Sequence, residues 1–308
     1  MKQYKKISNP IYQELKNLNL ITDKDLVTLS NQTRDAKVKV IKDLKTNIIF
    51  LNKHITSNHY YSALKYGDDD RKNIEKLKVG LTNVKTLSGN IKSEIIEDDY
   101  RRSEQFKKYL KNKDILDFGC GWGGFLKNLK NYKSLNGVEL RNECISHVKH
   151  NIKRVKISNN INSFKKSFDI ITMFHVLEHL PYQINALKVL KSKLKKNGKI
   201  IIEVPHAQDF LILQDKLKEF KKFTFWSEHL ILHTYKSLKT VLSKSGFKKI
   251  NIKFYQRYNF SNHLGWFLNK KPGGHYYYKD LINDQLNQSY CKNLIRIKQT
   301  DTLIAMAE

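Results

Sequence analysis

The sequence predicts an α/β fold in which a mainly parallel sheet follows a smaller α+β domain. From Asp114 onward, short apolar strands alternate with amphipathic segments of helix length, a pattern typical of parallel sheets with crossover helices. Before about residue 95 this alternation is absent, and a predicted hairpin and helices take its place. We therefore expect an N-terminal accessory domain over 1–95 and a larger α/β domain over 96–308, which fits a length of 308 residues.

The N-terminal part contains a predicted hairpin and two predicted helices. Residues 36–42 alternate between apolar residues and lysine, which predicts a strand, and 48–51 forms its partner after a turn at 43–47. A helix is predicted where four apolar residues recur at helical spacing, at Ile74, Leu77, Leu81 and Val84. A second helix is predicted over 97–111.

The larger domain contains seven predicted strands. They cover residues 114–118, 134–139, 154–157, 168–174, 199–204, 249–255 and 301–307. Helices are predicted between them at 124–130, 142–151, 183–194 and 235–245. Gly246 follows the last of these, where a glycine commonly ends a helix.

The chain is strongly basic, with 57 Lys and Arg against 29 Asp and Glu and a formal net charge of +28. Such a charge suits nucleic acid or an anionic membrane surface. However, 49 of the basic residues are lysine and only 8 are arginine, the residue better suited to bidentate phosphate and base contacts. We therefore interpret the charge as compositional, expect no nucleic-acid partner, and expect the charge to favour an anionic acceptor.

Three cysteines, none spaced as CxxC, indicate neither a disulfide framework nor a cysteine zinc site. No apolar run approaches the ~18 residues that a membrane helix needs. The charged N-terminus is not followed by an apolar segment, so we expect no cleaved secretion signal and a cytoplasmic location.

A glycine-rich turn follows the strand at 114–118. Gly119 and Gly121 permit tight turns and close approach of a ligand, and Glu139 ends the next strand, where an acid can accept both hydroxyls of a ribose. The glycine spacing alone fits either a dinucleotide or S-adenosylmethionine. Asp117 separates the two, because a carboxylate repels a pyrophosphate and attracts the cationic methionine part of S-adenosylmethionine.

Four segments together, ILDFGCGWGGF, VE, FDIITMFHVLEHLP and GKIIIEVP, resemble the class I S-adenosylmethionine-dependent methyltransferases from about Tyr100 to the C-terminus. The resemblance implies a seven-stranded, Rossmann-like sheet with its last strand antiparallel, S-adenosylmethionine as cofactor and no metal. It also implies cofactor contacts from nine residues, namely Asp117, Gly119, Cys120, Gly121, Glu139, Leu140, Asn160, Phe174 and His175. Asn160 stands where the family often has an acidic residue near the adenine.

Histidines concentrate in the larger domain, many of them at predicted strand ends, where ligands bind in open α/β sheets. Methyl transfer to a hydroxyl needs a base, and histidine is the usual base near neutral pH. We expect the base or an acceptor contact among His206, His229 and His175. If residues 229–233 are helical, His229 and His233 share a face and could also bind a metal.

Other residues are predicted to contact the acceptor. They are Tyr60, Tyr61, Arg257, Tyr258, His263 and His275, since aromatic faces and guanidinium groups suit sugar rings and phosphates. The EVPH, FWSEHL, QRY–NHL and PGGH segments, with Arg34-Asp35 before the hairpin, resemble a subgroup associated with bacterial polysaccharide and secondary-metabolite gene clusters.

These observations favour an O-methyltransferase acting on a sugar, a nucleotide-sugar or a glycan-related small molecule. RNA methylation is an alternative that depends on the positive charge, and a non-catalytic, cofactor-binding scaffold subunit is another. Asp117 argues against a fourth, a NAD-dependent oxidoreductase. The sequence leaves open whether the chain forms a homodimer.

Overall fold

The computed structural model describes residues 7–55 and 94–308, with only the backbone described for 94–97. The helix predicted around Ile74–Val84 and the candidate residues Tyr60 and Tyr61 lie outside the described residues. The domain boundary predicted between residues 95 and 96 borders this region and stays a prediction.

The described residues form ten α-helices. They are α1 (Pro10–Asn17), α2 (Glu94–Leu110), α3 (Gly124–Asn128), α4 (Asn142–Asn151), α5 (Gln183–Ser192), α6 (Lys218–Thr224), α7 (Tyr235–Lys244), α8 (Phe260–Asn269), α9 (Gly274–Tyr277) and α10 (Asp284–Arg296). Short 3₁₀ turns occur at Asp23–Asp25, Ile161–Ser163, Leu177–His179 and Lys279–Leu281. None of the helices in the described part of the chain has the length and apolar character needed to span a membrane.

Eleven strands in the same ranges form two sheets. They are β1 (Leu26–Ser30), β2 (Val40–Asp43), β3 (Ile49–Leu51), β4 (Asp114–Phe118), β5 (Ser134–Val138), β6 (Val155–Ser158), β7 (Phe168–Phe174), β8 (Leu194–Pro205), β9 (Ile231–Leu232), β10 (Asn251–Tyr255) and β11 (Thr302–Ala307). The smaller sheet has the order β1-β2-β3-β9. The larger sheet has the order β10-β11-β8-β7-β4-β5-β6, which confirms the predicted seven-stranded fold.

The chain divides into two compact units. Among the described residues, the first unit consists of 7–55, His175–Lys191 and Ile201–Glu308. The second unit consists of 94–174 and Ser192–Ile200. Strands β4 to β7 of the second unit pair in parallel, whereas β10 and β11 of the first are antiparallel to one another, as expected for the last strand.

The first unit contains a core that spans its N-terminal and C-terminal parts. Phe50 of β3 and Ile231 of β9 are both fully buried and pair across the smaller sheet. Trp266 of α8 belongs to the same cluster, as do Ile11 and Leu15 of α1. Because isolated strands of three to five residues are unstable, this shared burial stabilises the N-terminal sheet.

The core of the second unit contains strands that are apolar on both faces. Ile115 and Leu116 of β4 are 0% exposed, as are Phe168 and Ile171 of β7. Such continuous apolar runs are typical of parallel strands covered by helices on both sides. The predicted bounds of β4 and β7 agree with the structure, since their turns are marked by glycine or by charged residues.

The N-terminal prediction was partly wrong. Residues 36–39 lie outside any strand, and β2 begins only at Val40. Thr33 accounts for this, since its backbone N–H and its hydroxyl both donate to the Ala36 carbonyl and form a local turn in place of a ladder. The period-two pattern therefore extended beyond the strand.

Gly274 begins α9 where this short helix crosses α8. A Cβ atom at Gly274 would collide with the Ser261 carbonyl and lie 2.8 Å from Gly265 Cα, both backbone atoms that have little room to move. We expect Gly274→Ala to lower the free energy of unfolding by about 1–3 kcal/mol, the usual effect of an overpacked contact. Chemical denaturation measures it, with the exposed Gln285→Ala as control, and an unchanged midpoint for Gly274→Ala would contradict the packing.

Candidate functional site

The glycine-rich loop of the second unit connects β4 to α3. Gly119, Gly121 and Gly123 have φ angles of +79°, +52° and +75°, which residues with a side chain rarely adopt. At Gly123, a Cβ atom would also lie 2.6 Å from the Ile152 side chain, so that glycine packs closely against neighbouring apolar residues. The sequence uses glycine here because the backbone conformation requires it.

Asp117 lies at the end of β4, immediately before this loop. Its carboxylate is 4% exposed and accepts a hydrogen bond of 2.7 Å from the Thr172 hydroxyl on β7. Burial, with the nearby acids Asp99 and Glu139, raises the pKa of Asp117 to about 7, although Thr172 and the charge of Arg102 act in the opposite direction. A buried carboxyl group with this pKa would gain from a cationic ligand.

Glu139 follows β5 and points back to the glycine loop. One carboxylate oxygen accepts the Gly121 N–H at 2.8 Å, and the other accepts the N–H groups of Leu140 and Arg141 at 2.9 and 3.0 Å. Arg141 Nε adds a contact of 3.2 Å. These donors fix the orientation of the carboxylate, and the oxygen that accepts only the Gly121 N–H has a further lone-pair direction with which to accept a hydroxyl group.

Phe174 ends β7 within an aromatic cluster. Its ring stacks with that of Phe106 at 5.9 Å between centroids and meets Phe125 edge-on at 4.9 Å. The Arg102 guanidinium carbon lies 4.9 Å from the centroid of the Phe174 ring. Arg102 also forms an ion pair of 3.5 Å with Asp99.

These residues fit S-adenosylmethionine better than a dinucleotide. Three acidic side chains, Asp99, Asp117 and Glu139, influence one another electrostatically in this region, so a bound pyrophosphate would be repelled. A cationic amino-acid portion would be attracted to Asp117, and a ribose diol suits the oriented carboxylate of Glu139. Asp117, Glu139 and the glycine loop, which would hold these parts of the cofactor, belong to the second unit.

The other predicted cofactor residues differ in exposure. Cys120 is buried, and burial raises the pKa of its thiol, so it acts as a small apolar residue in the loop. Leu140 is 58% exposed and available for contact with a ligand. Asn160 is exposed, and its side-chain oxygen accepts the N–H of Asn162, so its amide nitrogen and the second lone pair of that oxygen can face an adenine.

In the first unit, His175 is the centre of a charged cluster. Its backbone has φ +53°, a left-handed conformation unusual for histidine. Its Nδ1 lies 3.1 Å from Glu178 and its Nε2 lies 3.3 Å from Glu203, two carboxylates that are 0% exposed. Burial would lower the pKa of His175, but the hydrogen bonds to Glu178 and Glu203 outweigh it and raise the pKa. His175 therefore tends to carry a proton.

His179 and His229 stand edge-to-face, with ring centroids 4.9 Å apart. Nδ1 of His179 lies 3.1 Å from the backbone carbonyl of Glu228 and must donate to it, which leaves Nε2 of His179 as an acceptor. Burial, together with His179, lowers the pKa of His229 to about 3, so His229 is neutral. Both rings are partly exposed.

The same pair contributes to a group that could hold a metal ion. One ligand atom from each of Glu178, His179 and His229 lies within 4.8 Å of the others. The condition for a shared face of His229 and His233 is not met, because residues 229–233 are not helical and Ile231 and Leu232 form β9. His233 instead pairs with His206 in an isolated parallel bridge, so the metal-binding face considered for His229 and His233 does not form.

His206 and His233 are both 0% exposed. His206 Nδ1 donates to the Thr300 carbonyl at 2.8 Å, and burial lowers its pKa to about 4. His233 Nδ1 lies 3.0 Å from the Ser237 hydroxyl at the start of α7. Neither ring is open to a solvent-borne acceptor in this conformation.

The remaining candidates of the first unit are Arg257 and Tyr258, which follow β10, His263 on α8 and His275 on α9. Arg257 Nη1 lies 3.4 Å from His175 Nε2, and its guanidinium lies 5.1 Å from the ring of Tyr258. His263 is 1% exposed, with Nδ1 2.7 Å from the Tyr290 hydroxyl. His275 is partly exposed and lies beside Tyr276 on α9.

Sequence reasoning overlooked several residues of both clusters. Asp99 and Arg102 belong to α2, and their signal was the charged run Asp98–Arg102 just before the first strand of the larger sheet. Glu178 and Glu203 are fully buried partners of His175. Their signal was a carboxylate inside an otherwise apolar segment, a position that requires a buried partner.

Comparison with known proteins gives a family match. A family model described as a methyltransferase domain matches residues 95–252, slightly more than half of the chain. An uncharacterized protein of Methanocaldococcus jannaschii is 34% identical, over 38% of this chain and 52% of its own length. A tRNA U34 carboxymethyltransferase of Nautilia profundicola is 28% identical, over 46% of this chain and 49% of its own length. A mitochondrial ubiquinone biosynthesis O-methyltransferase of Candida albicans is 31% identical, over 37% of this chain and 39% of its own length. The chain thus spans about half the length, or less, of these relatives.

Solved structures with a similar course of the chain include two methyltransferases. A SAM-dependent methyltransferase from Archaeoglobus fulgidus aligns with a TM-score of 0.47 and 21% identity, over 69% of this chain and 93% of that one. The plantazolicin methyltransferase BamL, in complex with an analogue of its substrate and SAH, aligns with a TM-score of 0.44 and 17% identity, over 76% and 90%.

Proposed function

The chain belongs to the S-adenosylmethionine-dependent methyltransferases of the matched domain family, and from this membership we propose that it methylates a hydroxyl group of a sugar, a nucleotide-sugar or a glycan-related small molecule. The observation that carries the proposal is the state of His229, a neutral and partly exposed imidazole beside Glu178 and His179. A neutral imidazole can accept the proton that an attacking hydroxyl must lose.

S-adenosylmethionine, when bound, supplies an electrophilic methyl group on a positively charged sulfur. The residues of this chain contribute binding and orientation. Asp117 offers a buried carboxylate for a cationic group, Glu139 offers an oriented carboxylate for the ribose, and the rings around Phe174 offer an apolar surface that excludes water. Gly119 and Gly121 allow the backbone to approach the ligand.

The three histidines predicted as catalytic differ in their suitability as a base. The two buried carboxylate partners of His175 favour its protonated form, so His175 is suited to donate a hydrogen bond or to carry positive charge. His206 is fully buried, and its Nδ1 is committed to a backbone carbonyl. His229 alone of the three combines neutrality with access, and we assign the base to it.

The low pKa of His229 is compatible with this role. A hydroxyl proton becomes strongly acidic as the new C–O bond forms, so even a weak base can remove it late in the transfer. Glu178, which opposes the lowering of the His229 pKa, would then stabilise the imidazolium by charge attraction. The pair of Glu178 and His229 therefore supports proton removal without a metal.

The acceptor class follows from charge and ring surfaces in the first unit. Arg257 Nη1 lies 3.4 Å from His175 Nε2, and its guanidinium would favour an anionic acceptor, whereas a charge on His175 is balanced by Glu178 and Glu203. Tyr258, beneath the Arg257 guanidinium, offers an aromatic face of the kind on which sugars pack. The segments that resemble the polysaccharide and secondary-metabolite subgroup support the same class.

RNA methylation is a second candidate, favoured by the net charge of +28 and by the similarity to a tRNA-modifying protein. The two candidates are separated by labelled methyl transfer to a panel containing glucose 6-phosphate, glucuronate, a UDP-sugar and unmodified tRNA. We expect label in a sugar and none in tRNA. Transfer to tRNA alone, weakening steeply with salt, would replace our proposal with the RNA reading. Cofactor binding without transfer to any acceptor would favour a scaffold subunit.

A further inference from the structure

Arg34 lies between β1 and β2 and is stacked on an aromatic pair. Its guanidinium carbon lies 3.5 Å from the centroid of the Trp226 ring and 4.7 Å from that of Phe223. The backbone N–H of Arg34 donates to the Phe225 carbonyl at 2.7 Å. Stacking of this kind holds a guanidinium flat against the ring and restricts a side chain that is otherwise flexible.

Asp35 fixes the segment beneath the guanidinium. Its two carboxylate oxygens accept the backbone N–H of Ser227 at 3.0 Å and the Ser227 hydroxyl at 2.5 Å. Ser227 is 2% exposed, so Asp35 satisfies two donors that lie away from solvent. The Arg34-Asp35 dipeptide thus keeps Trp226 in place directly below Arg34.

The N–H groups of Arg34 are available for a ligand. Arg34 is exposed, and within residues 7–55 and 94–308 its guanidinium forms no ion pair or side-chain hydrogen bond. Asp35 and Glu228 are the acidic groups that act on it electrostatically, but neither forms an ion pair with it. A planar, oriented guanidinium with five N–H donors matches the two oxygens of a phosphate or carboxylate.

His229, the proposed base, follows Trp226 by three residues. The His229 N–H donates to the Trp226 carbonyl at 3.3 Å, and Leu230 N–H donates to the Glu178 carbonyl at 2.9 Å. The charged or titratable groups acting on His229 are His179, Glu178, His175 and Arg34. Arg34 and His229 are therefore held by the same short segment, Trp226 to His229.

We propose that Arg34 binds an oxyanion of the acceptor, a phosphate or a carboxylate, and so directs the acceptor hydroxyl toward His229. This inference rests on the proposed function and adds to it a binding site for the anionic group of the acceptor, at a residue outside the matched methyltransferase region. Bidentate contact explains why arginine, scarce in this lysine-rich chain, stands at this position.

The test measures direct binding of glucose 6-phosphate, glucuronate and neutral glucose, with tryptophan fluorescence as the readout. Trp226 lies under the proposed anion site, and Trp226→Phe identifies its share of the signal. We expect saturable binding of the two anions, and about 10- to 100-fold weaker binding by Arg34→Met, which keeps an apolar chain on the ring but removes the charge-assisted hydrogen bonds. Arg34→Lys should restore part of the loss. Arg296→Met, an exposed change on α10, should leave binding unchanged.

The outcomes separate this inference from the proposed function, because no methyl transfer is measured. Equal binding of the anions by the chain and by Arg34→Met would overturn the site, as would binding of glucose as tight as that of glucose 6-phosphate, or no saturable response to either anion. Anion binding lost in Arg34→Met, in a chain that methylates none of the acceptors, would support the site while the proposed function fails. Thermal unfolding of each variant shows that it is folded.

Discussion

Replacement of His229 by alanine should lower kcat by about 10²- to 10⁴-fold, the usual contribution of a general base. Of the three histidines predicted as catalytic, His229 can take the acceptor proton most readily, because the carboxylate partners of His175 favour its protonated form and His206 is fully buried. Asp117, Glu139 and the glycine loop belong to the other unit, so affinity for S-adenosylhomocysteine should stay within about twofold, as calorimetry can show. Rates are measured with an acceptor from the panel at saturating cofactor.

A matched control is His150→Ala, an exposed histidine on α4, which should retain full activity. His206→Ala should mainly lower stability, since it removes the hydrogen bond to Thr300 and leaves a cavity beside Phe254. If His229→Ala keeps wild-type kcat, the assignment of the base is wrong. If His206→Ala alone loses turnover while remaining equally stable, the base is His206.

Replacement of Asp117 by asparagine should weaken binding of S-adenosylmethionine by about 10- to 100-fold, since it removes a charged acceptor from a buried position. Asparagine has the same shape and can still accept from the Thr172 hydroxyl, so the fold should be kept. Calorimetry with the purified chain measures the change. Asp169→Asn, also at a partly buried carboxylate of the second unit, should leave affinity unchanged, because Asp169 pairs with Lys195 instead.

The affinity of the unsubstituted chain should also depend on pH. The pKa of Asp117 is raised to about 7, so above pH 7 the carboxylate is charged and ready for a cation. Below pH 7 it is protonated and must lose its proton on binding, so affinity should fall by up to about tenfold per pH unit. The Asp117→Asn variant should not show this fall. A pH-independent affinity between pH 5.5 and 8 would contradict the role of Asp117.

Local patterns were sufficient to predict the larger sheet. Strand β7 was placed correctly because seven mostly apolar residues precede a histidine. The glycine loop was recognised because positive φ angles restrict the choice of residue there. The acidic residue before that loop, Asp117, was also informative, since a buried carboxylate has few structural uses. These features are encoded over short stretches of chain.

Contacts between distant segments could not be predicted. His229 and His233 would share a face only if residues 229–233 were helical, and pairing with β3 selects a strand at Ile231-Leu232 instead. The role of Arg34-Asp35 was likewise hidden, since their partners Trp226 and Ser227 lie far along the chain. Tertiary pairing overrides local propensity in both places.

The smaller sheet has a consequence for synthesis. Its fourth strand, β9, pairs Leu232 with Ile49, so the edge of β3 waits for a partner made about 180 residues later. A ribosome adding roughly 5–20 residues per second would leave that apolar edge uncovered for about ten seconds or more. A nascent chain stalled before β9 should therefore be the species most in need of a chaperone, since an open strand edge recruits other strands.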